Sequence, residues 1–264
     1  MEIGTVSTAS MVGMGFALVV GIILPIVLLI VVWKKTGARV STFFIGCAIF
    51  IVFALVLESF MHAAVLGLTG TVIKDNIWLY ALYGGLAAAL FEEVGRLVAM
   101  KFFMKDRLDM PNALMYGVGH GGIEAILILG VTSISNLMAS VMINSGTLAS
   151  ALEVLDEATA SASLEQLSVL WNSPSYMFYL GGVERILAII LQIVLSVMVF
   201  QAVKTGKKFF WFVAFVMHFV VDAVTVVTAE FLPIAAVEVL VAVMTAAAVW
   251  IAVRLTQKET ASQI

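Results

Sequence analysis

Residues 11–33 read MVGMGFALVVGIILPIVLLIVVW, an apolar stretch without one charged side chain. A helix needs about 20 such residues to cross a bilayer. Lipid offers the backbone no hydrogen-bond partner, so a spanning segment is either a helix or a strand of a closed barrel. The stretch is too long and too uniformly apolar for a barrel strand, whose side chains alternate between apolar and polar. It therefore predicts a transmembrane helix.

Six further apolar segments follow, and hydrophobic residues make up 62% of the 264 residues against 12% charged. A soluble domain has about a quarter of its residues charged. We therefore predict an all-α, multi-pass protein of the cell membrane, built as one integral-membrane domain over residues 1–264. Its surroundings are the lipid bilayer, and no nucleic-acid partner is expected. The predicted spans are 11–33, 42–67, 77–100, 110–135, 175–203, 208–230 and 232–254.

The lysines and arginines outside the spans predict an orientation. Eleven of them follow the first, third, fifth or seventh span, and Lys74 alone lies on the opposite side. Positive residues accumulate on the cytoplasmic side of membrane proteins. We therefore expect the N-terminus outside and the C-terminus in the cytoplasm. The eleven residues are Lys34, Lys35, Arg39, Lys101, Lys105, Arg107, Lys204, Lys207, Lys208, Arg254 and Lys258.

The loop at 136–174 is then external, and it contains acidic residues but no lysine or arginine. Leucines at helical spacing predict short amphipathic helices within it. Ser150 with Glu153, and Ser163 with Gln166, have the spacing of capping boxes that open such helices. The favoured interpretation is a structured hairpin resting on the outer surface, and the alternative is a cap that gates substrate access.

The spans contain many ionisable side chains, although each costs several kcal/mol at the bilayer centre unless it has a partner. Glu92 lies eight residues from the predicted cytoplasmic end of its span, and His120 and His218 lie ten. At about 1.5 Å per residue, all three lie roughly 12–15 Å from that end. Three distant segments thus predict one assembled site. Its candidates are Glu92, Glu93 and Arg96 in the third span, His120 and Glu124 in the fourth, and His218 and Asp222 in the sixth.

A second group of ionisable residues lies in the outer half of the membrane. Glu58 and His62 belong to the second span, and Glu184 and Arg185 to the fifth. The favoured interpretation is a buried ion pair, in which Arg185 neutralises Glu58 or Glu184. The alternative is that these residues line a water path.

The spacing within the first group suits the activation of water. His120 with Glu124, and His218 with Asp222, are four residues apart and so share a helix face. A carboxylate could act as general base while the imidazoles stabilise an oxyanion. Alternatively, His120, Glu124 and His218 could hold zinc while another carboxylate takes the proton. The residues alone leave both mechanisms open.

Three segments resemble the motifs of the CAAX-protease and bacteriocin-processing (CPBP) membrane peptidases. The family patterns are E-E-x-x-x-R, F-x-x-x-H and H-x-x-x-N, and the matching segments are 91–96, 116–120 and 218–222. With the Gly-His-Gly-Gly-Ile-Glu run at 119–124, the chain is most similar to the YhfC-like branch of intramembrane metalloproteases. The resemblance covers roughly residues 77–230.

The resemblance implies a role for each matching residue. Glu92 would activate water with the help of His120, and His218 with Asp222 would face the scissile carbonyl. Glu93 and Arg96 would hold the site together as an ion pair. The spacing from Glu-Glu to Arg is one residue shorter here, and Asp222 stands where the family often has Asn. An ionised Asp cannot donate to an oxyanion, so we expect Asp222 to orient or charge His218 or to bind metal.

We therefore expect an intramembrane endopeptidase, zinc-assisted, that hydrolyses a membrane-embedded or lipidated peptide. Two other functions fit the same residues. A proton-coupled secondary transporter also uses intramembrane carboxylates and histidines, but it predicts related halves around a midplane site, and the sequence contains no such repeat. A catalytically silent immunity or scaffold protein would keep its phenotype after Glu92→Gln, whereas a hydrolase would lose it.

Overall fold

The computed structural model describes residues 3–261, and the ends of the predicted domain, 1–2 and 262–264, lie outside the described residues. The described part is helical and contains no strand. Seven helices are long and apolar enough to cross a membrane, which confirms the predicted class and the number of spans. The helices are α1 (Thr8–Thr36), α2 (Val40–Thr69), α3 (Ile77–Phe103), α4 (Met110–Ser145), α5 (Thr147–Glu153), α6 (Glu157–Asn172), α7 (Tyr176–Thr205), α8 (Lys208–Phe231) and α9 (Ile234–Ala261).

Four of the spanning helices include a π-helical stretch, a rare geometry that is frequent at functional sites. The stretches are Val19–Ile23, Ile51–Glu58, Ala99–Phe103 and Ile126–Gly130. A π turn holds more residues than an α turn, so side chains beyond it are rotated relative to those before it. The stretch in α2 ends at Glu58.

The segment between α4 and α7 differs from the prediction in its helix boundaries. Helix α4 continues to Ser145, ten residues past the predicted end at 135, and stops at Gly146, whose φ of 78° favours glycine. Ser150 therefore lies inside α5, and the predicted cap there is wrong. The predicted cap at Ser163 is also wrong, because α6 already begins after Asp156, which accepts hydrogen bonds from the amide and the hydroxyl of Thr159.

The described residues form two compact units. The first comprises residues 3–24 and 125–185. Its core contains Met14, Ile143 and Leu170, and the Asn144 amide exchanges two hydrogen bonds of 2.9 Å with the backbone of Val6. In this unit Arg185 donates to Glu184, one of the two predicted partners.

The second unit comprises residues 25–124 and 186–261 and contains the ionisable residues of the first predicted group. Helices α2 and α4 meet backbone to backbone. A Cβ on Gly119 would lie 2.0 Å from the carbonyl oxygen of Phe43, and one on Gly46 would lie 2.4 Å from that of Tyr116. Only glycine permits this approach, which brings His120 into the interior of the unit.

Candidate functional site

The second unit brings α3, α4, α7 and α8 together around a buried polar cluster. Glu93, Arg96 and His120 are fully buried, and His218 and Glu92 are 3% and 7% exposed. Asp222 lies at the margin, with 34% of its side chain exposed. The cluster joins residues that are more than a hundred positions apart in the chain, at one level of the helices. Charges at this burial persist only where partners satisfy them.

The Arg96 guanidinium forms the centre of the cluster. It donates to Glu93 Oε1 and to Gln192 Oε1, and its Nη2 lies 3.2 Å from Glu92 Oε2. Arg96 follows the two glutamates by three and four residues, so all three side chains leave α3 on one side. The planar guanidinium fork thus fixes two adjacent carboxylates at once.

The Glu92 carboxylate is held at one oxygen. Its Oε2 accepts hydrogen bonds from His120 Nε2 at 2.8 Å, from Gln192 Nε2 at 3.1 Å and from Arg96. No described side chain donates a hydrogen bond to Oε1, which lies 3.9 Å from His218 Nε2. This separation exceeds a direct hydrogen bond and suits a bridging water. One oxygen of Glu92 is therefore anchored, and the other is free to act on water.

His218 has a carboxylate on each side of its ring. Its Nδ1 lies 2.8 Å from Glu93 Oε1, and its Nε2 lies 3.4 Å from Asp222 Oδ2. A carboxylate that accepts from one ring nitrogen fixes the imidazole and leaves the other nitrogen for chemistry. The backbone carbonyl of Glu93 also accepts a hydrogen bond from Trp211 Nε1 at 3.0 Å, which ties α3 to α8 at this point.

Gln192 on α7 is a site residue that the sequence did not predict. Its Nε2 donates to Glu92 and, at 2.7 Å, to Glu124 Oε2, so the amide links both carboxylates to Arg96. A neutral amide within a span lacks the charge that distinguishes the other site residues in the sequence. Gln192 nonetheless lies eleven residues before the predicted end of its span at 203, the same level as His120 and His218.

The predicted metal ligands His120, Glu124 and His218 each have a hydrogen-bond partner within the unit. His120 Nε2 bonds to Glu92, Glu124 accepts from Gln192, and His218 Nδ1 bonds to Glu93. His120 Nδ1 is buried and has no partner among the described residues. In the part of the chain that the structure describes, no three His, Cys, Asp or Glu residues are grouped to hold a metal. Their role as metal ligands stays a prediction.

A second hydrogen-bonded chain joins α2 to α3. His62 Nε2 lies 3.1 Å from Glu58 Oε1, and His62 Nδ1 lies 2.7 Å from Tyr83 Oη. Glu58 is 9% exposed and interacts electrostatically with Glu92, His218 and Asp222. The sequence predicted Glu58 and His62 as a group but not Tyr83, because an aromatic residue in an apolar helix gives no signal of its own.

Comparison with known proteins gives two matches along nearly the whole chain. The model of a family described as "YhfC intramembrane metalloprotease" matches residues 20–254. The "Uncharacterized membrane protein YhfC" of Bacillus subtilis (strain 168) is 39% identical over 250 residues, which cover 93% of this chain and 96% of that protein. No solved structure matches the chain. The shared region includes every residue of the buried cluster.

Proposed function

Since this chain belongs to the YhfC intramembrane metalloprotease family, we propose that it is an intramembrane endopeptidase that hydrolyses a membrane-embedded or lipidated peptide. The three motifs also support a place within the CPBP superfamily. The observation that carries the proposal is the geometry of Glu92, whose one oxygen is anchored by three donors while the other faces His218 across 3.9 Å.

In this proposal Glu92 is the general base. Water between Glu92 Oε1 and His218 Nε2 gives a proton to Oε1 as its oxygen attacks the scissile carbonyl carbon. The donors on Oε2 keep the carboxylate oriented, so no reorganisation is needed at that moment. His120, Gln192 and Arg96 therefore act as positioning residues rather than as reactants.

His218 is the proposed oxyanion stabiliser. In its protonated form it donates from Nδ1 to Glu93 and from Nε2 to the oxygen of the tetrahedral intermediate. Asp222, beside Nε2, supports the positive charge that this donation requires. The C–N bond then breaks, and the proton on Glu92 moves to the leaving amine nitrogen. The carboxylate base is regenerated, and the products are a carboxylic acid and an amine, which at neutral pH exchange a proton to become a carboxylate and an ammonium.

The family description implies a metal ion, and the donor types favour zinc. The described residues do not present three such donors as one group. In this proposal the proton transfers therefore belong to Glu92 and the oxyanion contact to His218.

The proposal also includes an orientation and a single domain over residues 1–264. Positive residues support an outside N-terminus and a cytoplasmic C-terminus, with the segment at 136–174 outside. In this orientation the buried cluster is nearer the cytoplasmic ends of its helices, and a substrate reaches it from that side of the bilayer.

The test uses purified full-length protein in lipid nanodiscs with a pooled library of short hydrophobic peptides. New peptide termini are read by mass spectrometry for the wild type, Glu92→Gln and Glu230→Gln. Glu230 is an exposed carboxylate at the far end of α8 and serves as the matched control. We expect cleavage by the wild type and Glu230→Gln but not by Glu92→Gln. Equal product patterns from all three proteins would refute the proposal and leave a carrier or a scaffold.

A further inference from the structure

A cavity of about 220 Å³ in the second unit is formed by residues of α2, α3 and α8. It is distinct from the buried cluster, and the proposed chemistry does not use it. Its walls are His62, Leu66, Tyr80, Tyr83, Gly84 and Val226.

On two of these helices, residues four positions apart form a row that runs from the proposed site to the cavity. On α8, Val226 of the cavity follows Asp222, which itself follows His218. On α2, Leu66 of the cavity follows His62, which follows Glu58 in the same way. Residues at this spacing lie above one another on a helix. The cavity is thus one helical turn from the partly exposed Asp222.

The third helix provides open space between the cavity and Glu92. Gly84 and Ala88 precede Glu92 by eight and four residues and share its face. A Cβ placed on Gly84 would meet no atom within 4 Å. Ala88 is partly exposed, whereas its neighbours Ala87 and Ala89 are buried. The smallest side chains therefore lie between Glu92 and the cavity, where a peptide bound at both would extend.

The walls of the cavity suit an apolar side chain. Leu66, Val226 and the rings of Tyr80 and Tyr83 present carbon surface, and the Tyr83 hydroxyl is already engaged by His62. Because Glu58 holds the other nitrogen of His62, the polar groups at this end satisfy one another. A bulky apolar group can then bind without the cost of desolvating an unpaired polar atom. The volume fits one large side chain and excludes a helix.

We propose that this cavity is a specificity subsite that receives one bulky aromatic or aliphatic side chain of an extended peptide whose scissile bond lies at Glu92. The inference rests on the proposed peptidase function. Eight residues of α3 separate Gly84 from Glu92, a rise of about 12 Å. An extended chain covers that distance in about three or four residues at roughly 3.3 Å each. The preferred residue therefore lies three or four positions from the cleaved bond.

The test compares Gly84→Leu with Gly67→Leu in lipid nanodiscs. Both glycines have open space around them, and Gly67 lies on an exposed part of α2 outside the cavity. Cleavage of the pooled peptide library is measured for the wild type and both variants. In parallel, the Glu92→Gln protein, with and without Gly84→Leu, is incubated with the same library and the retained peptides are sequenced. The binding arm requires no hydrolysis.

We expect wild type and Gly67→Leu to prefer a bulky apolar residue three or four positions from the cut. Gly84→Leu should lose about tenfold in kcat/KM for those peptides, and should still cleave peptides with Ala at that position. Loss of the same preference in the binding arm supports the subsite even if no protein cleaves, in which case the peptidase proposal alone fails. Cleavage with an unchanged preference in Gly84→Leu overturns the subsite and leaves the peptidase proposal standing.

Discussion

Glu92 Oε1 and His218 Nε2 lie 3.9 Å apart, in a cluster where the opposite oxygen of the same carboxylate accepts three hydrogen bonds. The two edges of Glu92 thus have different environments, one closed by donors and one facing an imidazole. Buried polar groups generally have hydrogen-bond partners. Glu93 Oε2 also lacks one among the described residues, but the open oxygen of Glu92 is the one that faces an imidazole nitrogen. The asymmetry is what a base needs.

The first prediction concerns Gln192, which links Arg96, Glu92 and Glu124. Gln192→Leu removes a donor to Glu92 Oε2 and leaves the carboxylate less firmly oriented. We expect kcat to fall by about 10–100-fold, the usual effect of losing a supporting contact at a reactive group, with KM little changed. Gln201→Leu is the control, because Gln201 is a buried glutamine on the same helix outside the cluster. Equal kinetics for both variants would contradict the assigned role.

The second prediction concerns Arg96, which neutralises Glu92 and Glu93. Arg96→Met leaves two buried carboxylates without their cation, and removing one partner of a buried pair costs about 3–5 kcal/mol. We expect a corresponding fall in unfolding free energy, measured by denaturant titration in detergent micelles. Adding Glu92→Gln and Glu93→Gln to Arg96→Met should restore much of the loss, because the remaining amides are neutral. If the triple variant is no more stable than Arg96→Met, charge compensation is not the role of Arg96.

The third prediction concerns metal content. Glu124 and one ring nitrogen each of His120 and His218 are bonded to other side chains, and the three residues are not grouped as zinc ligands. Zinc binding then requires these side chains to rearrange, which weakens its retention. We expect dialysis against EDTA to reduce zinc in the wild type to the level of His120→Ala and His218→Ala, as measured by plasma mass spectrometry. About one zinc per chain surviving dialysis, and absent from both variants, would instead establish a preassembled two-histidine site.

The fourth prediction concerns Asp156, which caps α6 outside the spanning helices. Hydrogen bonds from the side chain and the amide of Thr159 hold the pKa of Asp156 below its ordinary value. The ionised cap therefore stabilises α6 above the pKa of the unfolded chain, and this contribution is lost as pH falls through the lower pKa of the folded state. We expect Asp156→Ala to speed hydrogen exchange in Glu157–Asn172 at neutral pH, with little difference in strong acid.

Ser163→Ala is the matched control for this experiment. Ser163 lies within α6, so its replacement should leave hydrogen exchange near that of the wild type. Faster hydrogen exchange in Ser163→Ala than in Asp156→Ala would mean that Ser163, as the sequence predicted, and not Asp156 caps this helix.

The sequence predicts the spanning helices well because membrane insertion depends on long apolar runs, which one chain displays directly. The level of Glu92, His120 and His218 within their spans likewise follows from residue counting, and the structure places these side chains in one cluster. Helix ends were less predictable. Helix α4 runs to Ser145 and ends at the left-handed Gly146, although the polar residues after position 135 predicted a loop there.

Hydrogen-bond partners were the least predictable feature. His120 bonds to Glu92 on α3 and Glu124 bonds to Gln192 on α7, and no spacing rule within α4 contains that information. The π-helical stretch Ile51–Glu58 of α2 likewise follows from no pattern that the sequence displays. The sequence thus predicts which kinds of side chain form the site, whereas the hydrogen bonds between them are known only from the structure.

The contact of Gly46 and Gly119 with the opposing backbones fixes how far α2 and α4 can slide past each other. A shift of one residue would press the side chain of Cys47 or Val118 into a space that holds no Cβ at all. The two glycines therefore permit only one register between α2 and α4. His120 is the next residue after Gly119, so the imidazole at Glu92 owes its position to two side chains that are absent.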